Sequence, residues 1–193
     1  MKKLVTVFIL VLFSLTLFAQ GHLTFKNIPI QGNISSFISK MKSAGFSFVE
    51  QNDKNCIMNG PFAGFSNCDI VIGFSPKTKT VWKVMAILPS QISWGSVLFR
   101  YLEYKQRFID KYGKAESFEF FEDPFYEGDG YELMAFRNEK ATYASYWTTP
   151  LGIIQVAISA SSNSHGWVTL GYEDKSGVAI LDAERSAIIN YDL

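Results

Sequence analysis

"NCIMNGPFAGFSNCDIVIGFSPKTKTVWKVMAIL", residues 55–88, is the stretch on which the fold turns. Within "CDIVIGF", Cys68, Ile70, Ile72 and Phe74 share one face at the two-residue period of a strand. Asn55–Asn59 reads as the strand before it, Ser75–Lys79 as a turn, and Val81–Leu88 as the strand after it, closed by Pro89. Strands that follow one another through short polar turns predict an antiparallel meander.

The same reading extends in both directions. Upstream, "HLTFKNIPI" reads as an opening strand closed by Gly32. Asn33 is an N-cap, and Ile34, Phe37, Ile38 and Met41 recur at helical spacing over 34–44, with Gly45 as the stop. Phe46–Glu50 is a further strand. Downstream, Ser93 caps a helix over "WGSVLFRYLEYKQRFIDKY", residues 94–112, which Gly113 ends. Strands follow at Ser117–Phe121, Ala141–Thr148, Ile153–Ser159 and Trp167–Tyr172, with turns at Pro150–Gly152 and 161–166. Glu132–Phe136 has no clear type, and Ile180–Asn190 reads as a short helix.

The chain is therefore expected to be α+β, with an antiparallel sheet and its helices on one face. It reads as one domain, residues 20–193, made of two helix-plus-meander units of about 20–90 and 91–193. That order resembles the tandem-repeat fold of the beta-lactamase inhibitor protein and of small outer-membrane assembly lipoproteins, a likeness of architecture that carries no motif. "HLTFKNIPIQG", "GPFAGFSNC" and "KQRFIDKYGKAE" resemble a family of secreted proteins from anaerobic Gram-negative bacteria. That resemblance implies fold and export and no activity.

Export is also legible in the first residues. Met1-Lys2-Lys3, the uncharged run Leu4–Phe18 and Ala19 form the three regions of a signal peptide over 1–19. A fifteen-residue run is shorter than the roughly 20 residues of a spanning helix. No cysteine lies at the junction, so the expected product is periplasmic or extracellular, not a lipoprotein, with no transmembrane segment after cleavage. Cleavage removes two of the 18 basic residues, leaving 16 against 18 acidic. A net charge near −2 offers nucleic acid no clustered cations.

Cys56 and Cys68 are the two cysteines. Their separation fits neither a zinc ligand pair nor a redox CxxC. A hairpin turning at Pro61-Phe62-Ala63 sets them opposite each other, and an oxidising compartment then favours a disulfide. A turn at Phe65-Ser66 keeps the thiols apart. His22 and His165 lack a nucleophile elbow, and Gly128-Asp129-Gly130 lacks the third glycine of a phosphate loop.

"FEFFEDPFYEGDGYE" gathers Glu119, Glu122, Asp123, Glu127, Asp129 and Glu132 among aromatics. Neighbouring acids on one loop seldom take the separation that glycoside hydrolysis needs, and the EF-hand spacing is absent. Glu122, Asp123, Phe125, Tyr126, Glu127, Asp129 and Tyr131 are instead the candidate contact loop. Trp82, Trp94, Trp147 and Trp167 read as core. The functional expectation is an exported binding or inhibitory module for an envelope or extracellular protein or glycan, without cofactor or metal. The alternatives are a glycan hydrolase using Asp and Glu, or a structural envelope component.

Overall fold

The computed structural model describes residues 21–162 and 165–192, so the expected signal peptide lies outside the described residues. Among the described residues the fold is α+β with an antiparallel sheet and four helices. Thr24–Phe25 (β1) and Ile28–Pro29 (β2) form a two-stranded hairpin. It turns through Lys26 and Asn27, both at positive φ, where one opening strand was expected. Ile34–Ser43 (α1) follows, and the Asn33 side chain accepts from Ser35 N–H at 2.9 Å. Ile34, Phe37 and Met41 are buried, as their spacing predicts.

Eight strands make the main sheet: Ser47–Gln51 (β3), Asn55–Phe62 (β4), Phe65–Phe74 (β5), Val81–Ile87 (β6), Glu116–Phe121 (β7), Ala141–Thr149 (β8), Gly152–Ser162 (β9) and His165–Asp174 (β10). Their order is β3-β4-β5-β6-β10-β9-β8-β7, and every adjacent pair is antiparallel. Trp94–Tyr112 (α2) precedes β7, Glu132–Arg137 (α3) fills the stretch of unclear type, and Lys175–Asp192 (α4) closes the chain. The last helix begins five residues before the expected one. Asp174 starts it by accepting from Ser176 and Gly177 N–H.

The β4–β5 hairpin corrects both expected turns. Phe62 pairs with Phe65, so the turn residues are Ala63 and Gly64, at φ 52° and 88°. Two successive residues at positive φ suit a tight two-residue hairpin. Pro61 lies within β4, at the register shift between Gly60 and Phe62. A bulge lets a proline sit in a strand without taking a ladder hydrogen bond.

One sheet face carries the core. Ile72, Val84, Tyr172, Ile154 and Trp147 form one cross-strand row, and Ile70, Ala86, Leu170, Val156 and Ser145 the next. All are buried. Side chains from α1, α2 and α3 close this face: Met41 joins the core, Phe108 meets Trp147 and Tyr172, and Phe136 meets Tyr143. The expectation of all helices on one face fails for α4. A Cβ on Gly177 would stand 2.7 Å from the Cα of Trp82, so only glycine lets α4 approach β6 so closely. Trp82 lies over Gly73, in the row Gly73–Lys83–Glu173–Ile153 of the opposite face. Val178 stands beside Ile153 there, so α4 covers one end of that second face.

Candidate functional site

Beyond α4, the second face lies open among the described residues. One row runs across all eight strands: Glu50, Ile57, Val71, Met85, Gly171, Gln155, Tyr146, Glu116. The next carries Asn59, Asp69, Ile87, Thr169, Ala157, Ala144 and Phe118. Thr169, Ala157 and Ala144 make the middle of the second row small, whereas in the first the Gln155 side chain lies over Gly171. Gly171, Thr169, Ala157 and Ala144 are consequently buried although they face outward, which makes a shallow trough between Met85 and Ile87 on one flank and Tyr146 and Phe118 on the other.

Polar pairs hold the trough's rim. Gln155 donates to the Tyr146 hydroxyl at 3.1 Å, Lys83 to Glu173 at 2.7 Å, and Asn59 to Asp69 at 2.7 Å. A depression of about 610 Å³ opens beside Asn59, Asp69, Ile87, Ser90 and the half-buried Trp167. Among the described residues that line it, Asp69 is the one carboxylate. Paired-acid chemistry needs two carboxyls facing across a cleft.

The acidic loop is organised by its own side chains. Asp129 accepts from Tyr126 N–H at 3.1 Å and Tyr131 N–H at 2.7 Å. Glu132, buried at the start of α3, accepts from Gly128 N–H at 2.9 Å, and Glu122 receives Lys140 at 2.8 Å. The Tyr143 hydroxyl reaches Glu127 at 3.5 Å, and burial followed by this carboxylate pushes the phenol up. The Asp123-Pro124 bond is cis. Phe125 is half-buried, Asp123 is exposed, and Tyr126 and Tyr131 are 65% and 58% exposed. The acids therefore shape a loop that presents two tyrosines. Among the described residues no group of three or more His, Cys, Asp or Glu could hold a metal ion.

Glu119 stands apart from the other acids. It lies on β7 facing α2, where the Tyr101 hydroxyl donates to it at 2.7 Å and Lys105 pairs with it. Tyr101 also meets the Ser145 hydroxyl at 2.7 Å, and Ser145 meets Ser117 at 2.9 Å. Burial drives the Tyr101 phenol well up. Burial acts upward on Glu119 too, but its bonds from Lys105 and Tyr101 outweigh it and hold the carboxyl low. Tyr101 and Ser145 are fully enclosed, so this network ties α2 to the sheet. Sequence reading missed it because its members come from three elements with no spacing to join them.

The cysteines are separate. Cys56 pairs with Ile72 and Cys68 with Gly60, four residues apart along the hairpin, or about 13 Å at strand rise. A disulfide needs Cα atoms within about 7 Å. Both are free, buried thiols, and burial raises each. The staple expected from a turn at Pro61-Phe62-Ala63 is thus overturned by the turn at Ala63-Gly64.

The remaining residues serve packing or anchoring. His22 meets Asp174 at 3.1 Å, and Asp174 also accepts Leu23 N–H at 2.9 Å, which ties the start of the described chain to the cap of α4. Trp147 donates to Gly113 O at 2.8 Å, and Trp94 packs among Phe121, Phe136 and Tyr143. Trp82 lies beside α4, and Trp167 borders the open face. Comparison with family models, with curated proteins and with solved structures gives no match to this chain.

Proposed function

We propose that the protein is an exported binding or inhibitory module that acts without catalysis, holding an envelope or extracellular protein against the open sheet face. The observation that carries this reading is the row from Glu50 to Glu116 on the second face, with half-buried Ile57, Val71 and Met85 on one side of its buried centre and Tyr146 on the other. Contiguous apolar side chains left partly in water mark interaction surfaces. The 122–131 loop, with Tyr126 and Tyr131 outward, is the second contact. Export rests on the signal-peptide pattern over residues 1–19, and among the described residues no helix is long and apolar enough to cross a membrane.

Hydrolysis of glycans by paired carboxylates draws less support, since among the described residues the 610 Å³ depression offers Asp69 alone. We also read the chain as two tandem units, about 20–90 and 91–193. What supports this is the strand order: α1 is followed by β3–β6 and α2 by β7–β10, with α3 between β7 and β8, and the two antiparallel sets meet through their last strands, β6 and β10. The test of function is capture from an envelope or culture-supernatant extract by the wild type and by V71E/M85E. Loss of a specific captured protein at unchanged melting temperature supports the open face. Equal capture by both overturns it.

A further inference from the structure

The two outer strands differ in how they treat further pairing. β3 breaks register between Phe48 and Glu50, and such a bulge is one way an edge is kept from pairing. β7 pairs with β8 without a break from Glu116↔Tyr146 to Phe121↔Ala141, and contains neither proline nor lysine. Glu122 N–H donates to Lys140 O at 2.8 Å, one step further in the same register. By the antiparallel alternation, Phe120, Phe118 and Glu116 then aim their backbone groups at β8, whereas Ser117, Glu119 and Phe121 aim theirs outward. Phe118 and Phe120 are 43% and 45% exposed and share the open face.

We propose that β7 is a homotypic edge, which pairs antiparallel with β7 of a second copy about a two-fold axis at Glu119. Outward residues must meet outward residues for the ladder to form. Centring on Glu119 joins all three, with Ser117 opposite Phe121 of the second copy and Glu119 opposite its counterpart. In the same register Phe118 lies opposite the second copy's Phe120, and Phe120 opposite its Phe118. Four exposed rings thereby meet on one face, and aromatic cross-strand pairs are among the favourable ones. Centring on Phe118 instead would pair Phe121 with Ala115, which lies outside β7.

The charges permit the Glu119 register. Each Glu119 already holds Lys105 and Tyr101, so two carboxylates meet with their cations beside them. Glu116 would face the second copy's Glu122, which holds Lys140. Leu102 is exposed three residues before Lys105, on the same flank of α2, and adds apolar surface beside the seam. The matching of Phe118 with Phe120 in both directions is what selects a second copy over a foreign strand. Such an isologous contact closes on itself as a dimer. It goes beyond the proposed partner binding, and it would run the two open faces into one.

Sedimentation velocity on the protein recovered from expression of the whole chain tests this, from about 10 μM to about 1 mM, the weak end of specific association. The expected result is a monomer–dimer equilibrium that F118K/F120K weakens by at least about 30-fold. Residue-resolved amide exchange of the wild type keeps the test independent of how that variant folds. The amides of Ser117, Glu119 and Phe121 should gain protection as the dimer fills, and those of Phe118 and Phe120 should be protected throughout. A monomer over the whole range, a dimer that a folded F118K/F120K retains, or amides at 117, 119 and 121 that exchange at one rate at every concentration overturns the proposal. None of these outcomes bears on capture by V71E/M85E.

Discussion

The two faces of the main sheet come from the same strands, and nearly the same residue types line both. On one face Ile70, Ile72, Val84 and Ile154 vanish beneath three helices, whereas on the other Ile57, Val71, Met85 and Ile153 remain partly in water. The difference is one of cover. α1 and α2 carry apolar stripes long enough to seal a face, but α4 reaches only the end that holds Trp82 and Ile153. Hydrophobicity along a strand therefore marks what can be buried, and the helices decide what is.

The sharpest way to break this comparison is to truncate neighbours that point in opposite directions. Ile72→Ala removes a fully buried side chain and should cost about 3 kcal/mol. Val71→Ala, one residue away on the open face, should cost about 1 kcal/mol or less. Urea unfolding of both reads the difference. Equal losses would mean that the open face is covered in solution.

Next in size is Asp174, which is fully buried and accepts from Leu23, Ser176 and Gly177 N–H. Asp174→Ala leaves those donors without their carboxylate and should cost about 2–3 kcal/mol. Amide exchange should speed at Leu23 and at the start of α4 together. Release of one without the other would separate two roles that the structure joins in one side chain.

Glu184 fastens the far part of α4 by accepting from Lys77 N–H at 2.9 Å and Thr78 N–H at 2.8 Å. Burial pushes its carboxyl up, but hydrogen bonds from Thr78 and Lys77 prevail and bring it from 4.5 to about 2. A carboxyl whose folded value is depressed stabilises fully above its unfolded value and loses that contribution as pH falls through the folded one. Glu184→Gln should therefore cost about 1.5–2 kcal/mol near pH 7. Its deficit in melting temperature should shrink between about pH 4.5 and 2. A deficit independent of pH would show that the charge contributes nothing there.

The smallest effect concerns the contact loop. Phe125 is half-buried, and Phe125→Ala should cost about 1–2 kcal/mol. Tyr126→Ala should stay within about 0.5 kcal/mol. Thermal melts compare them directly. A large loss at Tyr126 would make it a pin for the loop and remove it from the proposed contact surface.

Much of this was legible because it is local. The apolar spacing of Ile34, Phe37 and Met41 marks α1, and the caps Asn33 and Ser93 begin helices where expected because a side chain and a backbone N–H two or three residues on suffice. The alternation in "CDIVIGF" identified Ile70 and Ile72 as core for the same reason. Loop 122–131 was marked by its proline and glycines, which cannot continue either neighbour.

What depended on register or on distant partners was not legible. Gly60-Pro61 and Ala63-Gly64 both carry turn chemistry, and the choice between them moved Cys56 away from Cys68. Pro61 could enter β4 only because a bulge relieves it, which no local preference announces. The Tyr101–Glu119–Ser145 network likewise required α2, β7 and β8 to meet. By itself the sequence determined α1, α2 and most strands of the main sheet, and which side chains could be buried, since those depend on neighbours in the chain. Only the tertiary structure decided the hairpin register, the face that stays open and the edge that stays regular. Those follow from which surfaces the helices reach, a property of packing between residues far apart in sequence.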